Sequence, residues 1–176
     1  MKKYICLILA LCSFHSVSAL EKPTDNEKSL IMVGVGAFDI FRWSKNQKDF
    51  QTLLFLELRP NIALLSRRKV IVRPLIAWMY ADFKASFIGA GLAFDFLISP
   101  QVTFTPSFAP GYFAKGGDID LGYPLEFRTS LELAYRFKNK GRVGMMFSHI
   151  SNAHLGKENP GADMLSIFYA IPFSLH

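Results

Sequence analysis

Between Leu125 and Phe137 apolar and polar side chains alternate with little interruption. Leu125, Phe127, Thr129, Leu131, Leu133, Tyr135 and Phe137 occupy one set of positions; Glu126, Arg128, Ser130, Glu132, Ala134 and Arg136 occupy the other. Successive side chains of a strand point to opposite faces, so this stretch predicts a strand with one apolar face and one strongly charged face. Two further stretches carry a related pattern. From Ala85 to Phe96, Ile88, Ala90, Leu92, Phe94 and Phe96 alternate with Gly89, Gly91, Ala93 and Asp95. From Val102 to Pro110, Val102, Phe104, Pro106 and Phe108 alternate with Thr103, Thr105, Ser107 and Ala109. One face is greasy in each case, and the other is small or hydroxylated.

The chain divides into about eight such runs: Leu30–Phe41, Phe50–Leu58, Val70–Tyr80, Ala85–Ile98, Val102–Phe113, Leu121–Phe137, Arg142–Asn152 and Asp163–Phe173. Turn-forming clusters separate them, among them RPN, SPQ, AKGGD, KNKG and GKENPG. Runs of this length with Gly, Pro and Asn breaks predict sequential antiparallel strands. A soluble sheet would turn the charges to water. A transmembrane barrel would turn them inward, paired with one another, and the greasy face to lipid. Small inward residues suit a narrow lumen, and eight strands close a barrel whose interior is just filled by side chains. The fold expected is therefore all-β, an eight-stranded antiparallel transmembrane β-barrel over residues 30–176. Pro74, Pro106, Pro124 and Pro172 lack an N–H for the ladder and are expected at bulges or strand ends. Leu53 to Leu58 and Val70 to Val72 are apolar on both faces, which leaves the early strands less defined.

Composition supports a chain made for a membrane or for a large apolar core. Hydrophobic residues make up 51% of it, including 17 Phe. The first residues read MKKYICLILALCSFHSVSAL: a basic start, a short apolar stretch, and small residues ending at Ala19. This is the layout of a cleaved secretory signal peptide over residues 1–19. Residues 20–29, polar and with Pro23, read as a tether. Cys12 raises a lipoprotein alternative, but Leu11 is a poor residue before a lipidated Cys. Cys6 and Cys12 both fall within the leader, so the exported chain has no disulfide, which fits a bacterial envelope protein. Without Lys2 and Lys3, the 20 basic side chains become 18 against 14 acidic. The excess is dispersed, with short clusters at Arg67 to Lys69 and Lys138 to Arg142. A solvated turn and an anionic headgroup contact are both open for these. Nucleic acid is not an expected partner.

Chemistry concentrates in residues 147–173, FSHISNAHLGKENPGADMLSIFYAIPF. His149 and Ser151 fall in register with Phe147, Met145 and Val143, and Asp163 with Leu165, Ile167, Tyr169 and Ile171. All three polar residues thus belong to the lipid-facing sets of their strands, at the end of the apolar band, where a polar group is costly unless paired or functional. Residues two apart on a strand share a face, and antiparallel pairing brings a third side chain beside them. A neutral imidazole can take a serine proton while a carboxylate holds its other nitrogen. A solvated rim or a loop cap remains an alternative on spacing alone. No zinc-type ligand spacing is present, and no metal or cofactor is expected.

The same stretch resembles the C-terminal signature of the PagL family of outer-membrane lipid A deacylases. That pattern runs His-x-Ser-Asn-Ala, then Asn-Pro-Gly, an acid two residues on, and a closing Ile-Pro-Phe. The resemblance implies an eight-stranded outer-membrane barrel that removes the ester-linked 3-position acyl chain of lipid A. By position it makes Ser151 the nucleophile, His149 the base and Asp163 the acid. Asn152 and Asn159 match positions associated with the oxyanion hole. The family acid is typically Glu, so the shorter Asp163 must sit closer to His149 or act through water. Glu158 is the rival acid by chemistry, though not by position, and His154 stands where the family often has Gly.

The expectation is thus a carboxylic ester hydrolase of the bacterial outer membrane, with lipopolysaccharide as substrate. Met145, Phe147, Leu165 and Ile167 are expected to lie along the substrate's acyl chains. Arg67 to Lys69 would meet lipid A phosphates only if they share the site's rim. Self-association into a homodimer is left open. Two other classes compete: a non-catalytic barrel that keeps the hairpin for structure, and a soluble exported barrel of lipocalin type, which would invert the inside and outside of every strand.

Overall fold

A computed structural model describes residues 27–41, 51–67, 69–82, 84–117 and 119–174. The expected signal peptide, and the tether up to residue 26, lie outside the described residues. The described chain forms nine strands: β1 (Ser29–Phe38), β2 (Gln51–Arg59), β3 (Leu65–Arg67), β4 (Val70–Ala81), β5 (Ala85–Leu97), β6 (Val102–Ala114), β7 (Leu125–Arg136), β8 (Arg142–Ser151) and β9 (Ala162–Phe173). Neighbours pair antiparallel in the order β2-β1-β9-β8-β7-β6-β5-β4-β3, and β2 also pairs with β4. That last pairing closes the sheet into an eight-stranded barrel. The short β3 continues β2 along β4 after an interruption that contains Pro60. Closure gives each of the eight long strands a partner on both sides, as lipid requires.

The alternation read from the sequence sets inside and outside. On β7, Glu126, Arg128, Ser130, Glu132, Ala134 and Arg136 are buried, while Leu131, Leu133 and Tyr135 are half or more exposed. Apolar side chains cover the exterior from Ile31, Val33 and Val35 of β1 round to Ile167 and Ile171 of β9. An exposed apolar surface of this extent fits lipid, not water. Aromatic residues band it at both ends. Trp78 stacks on Tyr80 toward one end, and Trp78, Ile88 and Tyr112 lie on one rung. Tyr135, Phe137 and Tyr169 cluster toward the other. Such girdles mark the two membrane interfaces.

The lumen is layered. Toward the end that carries the β8–β9 loop it is apolar, filled by Phe38, Leu53, Phe55, Met79, Phe87, Phe113, Ile150 and Met164. This explains why β2 reads as apolar on both faces: Leu53 and Phe55 fill the lumen while Leu56 faces out. Below it lies an ionic network. Arg59 contacts Glu57 (2.7 Å), Glu132 (2.7 Å) and, more loosely, Asp95 (3.7 Å). Arg142 grips both oxygens of Asp95 at 3.0 and 2.9 Å, and Arg73 and the Thr105 hydroxyl add to the same carboxylate. Arg128 pairs with Glu57. Among the described residues the inward charges of β7 thus pair with β2, β8 and Glu27 and not with one another, whereas on β2 Glu57 and Arg59 pair directly, two residues apart. Glu126 has no ion-pair partner among the described residues, and neither of its buried carboxylate oxygens has a hydrogen-bond partner there. Glu27, just before β1, reaches into the far mouth and pairs with Arg136 and Arg73.

Two of the prolines depart from expectation. Pro124 precedes β7 and Pro172 is the penultimate residue of β9, but Pro74 and Pro106 lie inside unbulged strands. Pro74 falls at the gap on β4 between its pairings with β3 and β2, where no ladder bond is lost. Pro106 falls where the β5–β6 ladder skips between Ala93–Ser107 and Phe96–Phe104. The start of the expected strand at Leu121 also differs: Leu121 is buried in the β6–β7 loop, and the strand begins at Leu125. The β2–β4 connection with Arg67 and Lys69, and the β7–β8 turn with Lys138 and Lys140, both lie at the barrel end opposite the β8–β9 loop.

Candidate active site

The last turn of chemistry sits where β8 and β9 leave the barrel. Their register places His149 directly across from Asp163, and the pairs Phe147–Leu165 and Met145–Ile167 directly below, all on the outward face. The His149 Nδ1 lies 2.9 Å from Asp163 Oδ1. The side chains are 44% and 29% exposed, so the pair is open to a ligand from outside the barrel while braced by its neighbours. Ser151 shares the outward face with His149 two residues on, about 6.5–7 Å away at Cα for strand geometry. It pairs with Phe127, one outward position below the Leu125–Tyr112 pair on the aromatic rung. The site therefore lies close under the membrane interface, with hydrocarbon-facing residues beneath it.

Asp163, one methylene shorter than Glu, reaches the imidazole without an intervening water because cross-strand pairing puts the two Cβ atoms only about 5 Å apart. With Nδ1 held by the carboxylate, Nε2 is the nitrogen left to exchange a proton. Glu158 takes no part in this pair; its backbone carbonyl accepts from Asn152. Gly161 fits the same construction. Its φ of +62° is left-handed, and a Cβ there would stand 3.2 Å from His149 Cε1 and from the Ile150 carbonyl. The Asn-Pro-Gly signal marks a turn in the sequence; that its glycine also makes room for the imidazole is visible only once β8 and β9 are paired.

The two asparagines have different situations. Asn152 follows Ser151 and so points inward, fully buried. Its Nδ2 donates to the Leu121 carbonyl (2.9 Å) and the Glu158 carbonyl (2.8 Å), and its Oδ1 accepts from the His154 N–H (3.0 Å). Its own backbone N–H donates to Asn159 Oδ1 at 3.0 Å. Every donor of Asn152 is thus committed to the loop, so it staples the loop and has none left for a developing oxyanion. Asn159 Nδ2 spends at most one hydrogen on His154 Nδ1, at 3.4 Å. Ala153, at φ +53°, begins the left-handed turn after Asn152, and its N–H donates to no group among the described residues. Below the site a shallow apolar groove of about 530 Å³ runs between Val33, Val35, Leu54, Val143, Ile167 and Tyr169.

Comparison with known proteins bears on the family and the fold. The family described as Lipid A 3-O-deacylase (PagL) matches residues 18–172. The chain is 39% identical over 56 residues to the lipid A deacylase PagL of Pseudomonas aeruginosa, a stretch that spans 32% of this chain and 32% of that relative, about a third of its length. The crystal structure of the outer membrane enzyme PagL has a TM-score of 0.61 at 20% identity, over 82% of this chain and 99% of that one. A structure from the de novo design of transmembrane β-barrels has a TM-score of 0.53 at 11% identity, over 88% of this chain and 100% of that one. These likenesses place the fold among transmembrane barrels. The family match runs from before the first strand almost to the end of the last, across the hairpin that carries His149, Ser151 and Asp163, and the chain belongs to the PagL family of lipid A 3-O-deacylases.

Proposed function

We propose that this chain is an outer-membrane esterase that hydrolyses the ester-linked 3-position acyl chain of lipid A, with Ser151, His149 and Asp163 as its catalytic residues. The observation that carries the reading is the 2.9 Å contact of His149 Nδ1 with Asp163, beside Ser151, on a face otherwise given to lipid. A buried or lipid-facing polar pair without a task is a net cost.

The contact of His149 with Asp163 supports the following steps. Asp163 fixes the imidazole tautomer, so Nε2 accepts the Ser151 proton as Oγ attacks the ester carbonyl. The carbonyl oxygen gains negative charge, for which the Ala153 N–H and the remaining Asn159 Nδ2 hydrogen are the candidate donors. Collapse breaks the bond to the sugar oxygen, and His149 returns the proton to that oxygen as it leaves. Water then attacks the acyl-serine, giving its proton to His149; collapse breaks the bond to Ser151 Oγ, His149 returns the proton to that oxygen, and the free fatty acid departs into the membrane. The cleaved chain and its neighbours lie along Phe147, Met145, Leu165 and Ile167, so the lipid need not leave the bilayer to react.

Mass spectrometry of lipid A from cells with and without the protein tests this. Expression of the wild-type chain should remove one 3-position acyl group, and Ser151→Ala, folded and inserted, should leave lipid A intact. Release of that chain by the inserted Ser151→Ala protein would end the serine mechanism.

A further inference from the structure

The rim beside Ser151 holds a second feature that bond cleavage itself does not use. The β6–β7 and β8–β9 loops enclose a pocket of about 670 Å³, within the size range of small-ligand sites. Tyr112, Lys115, Asp120 and Tyr123 form one side, and Lys157 and Glu158 the other. The two sides are locked together. Gly122 stands so close to the other loop that a Cβ would lie 2.6 Å from the Glu158 carbonyl oxygen, and its φ is +84°. Asn152 ties Leu121 of one loop to Glu158 of the other through the same Nδ2. Since Asn152 is bonded to Ser151 in sequence, one residue fixes the pocket's position relative to the nucleophile.

The lining selects a ligand class. A hydrocarbon chain would be repelled by two ammonium groups and two carboxylates. A simple anion would not call for Asp120 and Glu158. Tyr112 and Tyr123 are exposed and offer flat apolar ring faces with polar tips. Lys115 bonds Asp120 at 3.0 Å, and the Gly122 N–H, together with Lys115, holds the Asp120 carboxyl below its ordinary range, so it stays an acceptor. Rings for C–H faces, acceptors for hydroxyls and ammonium groups for phosphate together match a phosphorylated sugar. We propose that this pocket receives the phosphorylated amino-sugar headgroup of the glycolipid whose ester Ser151 attacks. The proposal rests on the deacylase reading for the identity of the lipid, and on the pocket alone for the binding.

The test separates the two. The Ser151→Ala barrel, reconstituted in nanodiscs, is compared with the same barrel carrying Tyr112→Ser and Tyr123→Ser, and retention of bisphosphorylated lipid A and of phosphatidylglycerol is measured. Loss of two ring contacts should weaken lipid A retention about tenfold and leave phosphatidylglycerol unchanged. Should the tyrosine variant not fold, Lys115→Gln with Lys157→Gln replaces it, with loss expected for bisphosphorylated and not for dephosphorylated lipid A. Unchanged lipid A retention overturns the proposal, and so does an equal loss of both lipids, which would make the tyrosines general membrane anchors. If the wild-type chain leaves lipid A uncut while the pocket variants still lose it selectively, the deacylase reading fails and the pocket stands. If the wild type cuts lipid A and the variants bind it normally, the pocket fails alone.

Discussion

At the scale of single residues, the site turns on one carboxylate. Asp163 and Glu158 are both acids of the same hairpin, and the chemistry of a His partner is open to either. The strand register decides between them: Asp163 is the cross-strand neighbour of His149, and Glu158 stands out in the loop with its backbone engaged by Asn152. Asp163→Asn keeps the shape of the pair but can present a donor to Nδ1, which favours the wrong tautomer. Deacylation should fall by roughly three to four orders of magnitude with the barrel still folded. Glu158→Gln should keep the reaction and change at most the affinity for lipid. Acyl-chain release followed on both purified variants checks this, and full activity of Asp163→Asn beside an inactive Glu158→Gln would move the acid into the loop. Asn152 shows the opposite lesson. Its match to the family pattern implies a part in the oxyanion hole, yet the period of two turns its side chain inward, where it holds the β6–β7 and β8–β9 loops together.

At the scale of elements, β7 was legible because both of its faces are consistent from end to end. β2 and β4 were legible as strands but not as to which face turns inward, because the lumen changes character along its length. Leu53 and Phe55 face the apolar part, whereas Glu57 and Arg59, only two and four residues on from Phe55, face the ionic part. No window of alternation can show that change, since it is set by what seven other strands place at the same height. For the same reason the partners of Arg128 and Glu132 could not be read locally: they come from β2 and β8. The basic cluster at Arg67 to Lys69 could be placed at an end, but only the count of strands and turns puts it at the far one. The outward placement of His149, Ser151 and Asp163 was readable because they extend a lipid-facing set that is already clear. The network gives a test at this scale. Arg59 bridges Glu57 and Glu132, so Arg59→Met leaves buried carboxylates short of a partner and should cost about 3–5 kcal/mol. Adding Glu132→Gln to it should recover part of the loss. Urea midpoints of refolding into lipid vesicles measure both, and a single variant as stable as wild type would show that the network is not held together through Arg59.

At the scale of the whole molecule, the barrel inverts the usual placing of a site. Most enzymes gather catalytic groups in an interior cleft; here the interior is filled by side chains and ion pairs, and the hairpin of His149, Ser151 and Asp163 faces lipid. That arrangement makes the membrane part of the substrate path. The aromatic rung of Trp78 and Tyr112 sets the height of the interface, Ser151 lies just beneath it, and the hydrocarbon belt begins at Phe147 and Leu165. Under the proposed mechanism an ester at the headgroup boundary would meet Ser151 at its own depth, and its acyl chain would continue along the barrel wall. The belt must therefore be real hydrocarbon contact and not an exposed surface of a soluble fold. Leu131 tests this. It is half exposed, lies across from Phe147, and points away from every inward charge. Leu131→Arg puts a cation into the belt and should cost about 2–4 kcal/mol on folding into a bilayer, the penalty for a basic residue near the midplane. The same change should matter much less in a detergent micelle, whose thin and mobile apolar layer lets the guanidinium reach water. Folding of the variant is followed by heat-modifiable mobility in both media. Equal stability of Leu131→Arg and wild type in the bilayer would mean that this face does not meet lipid, and the site beside it would then have to be reached by substrate from water.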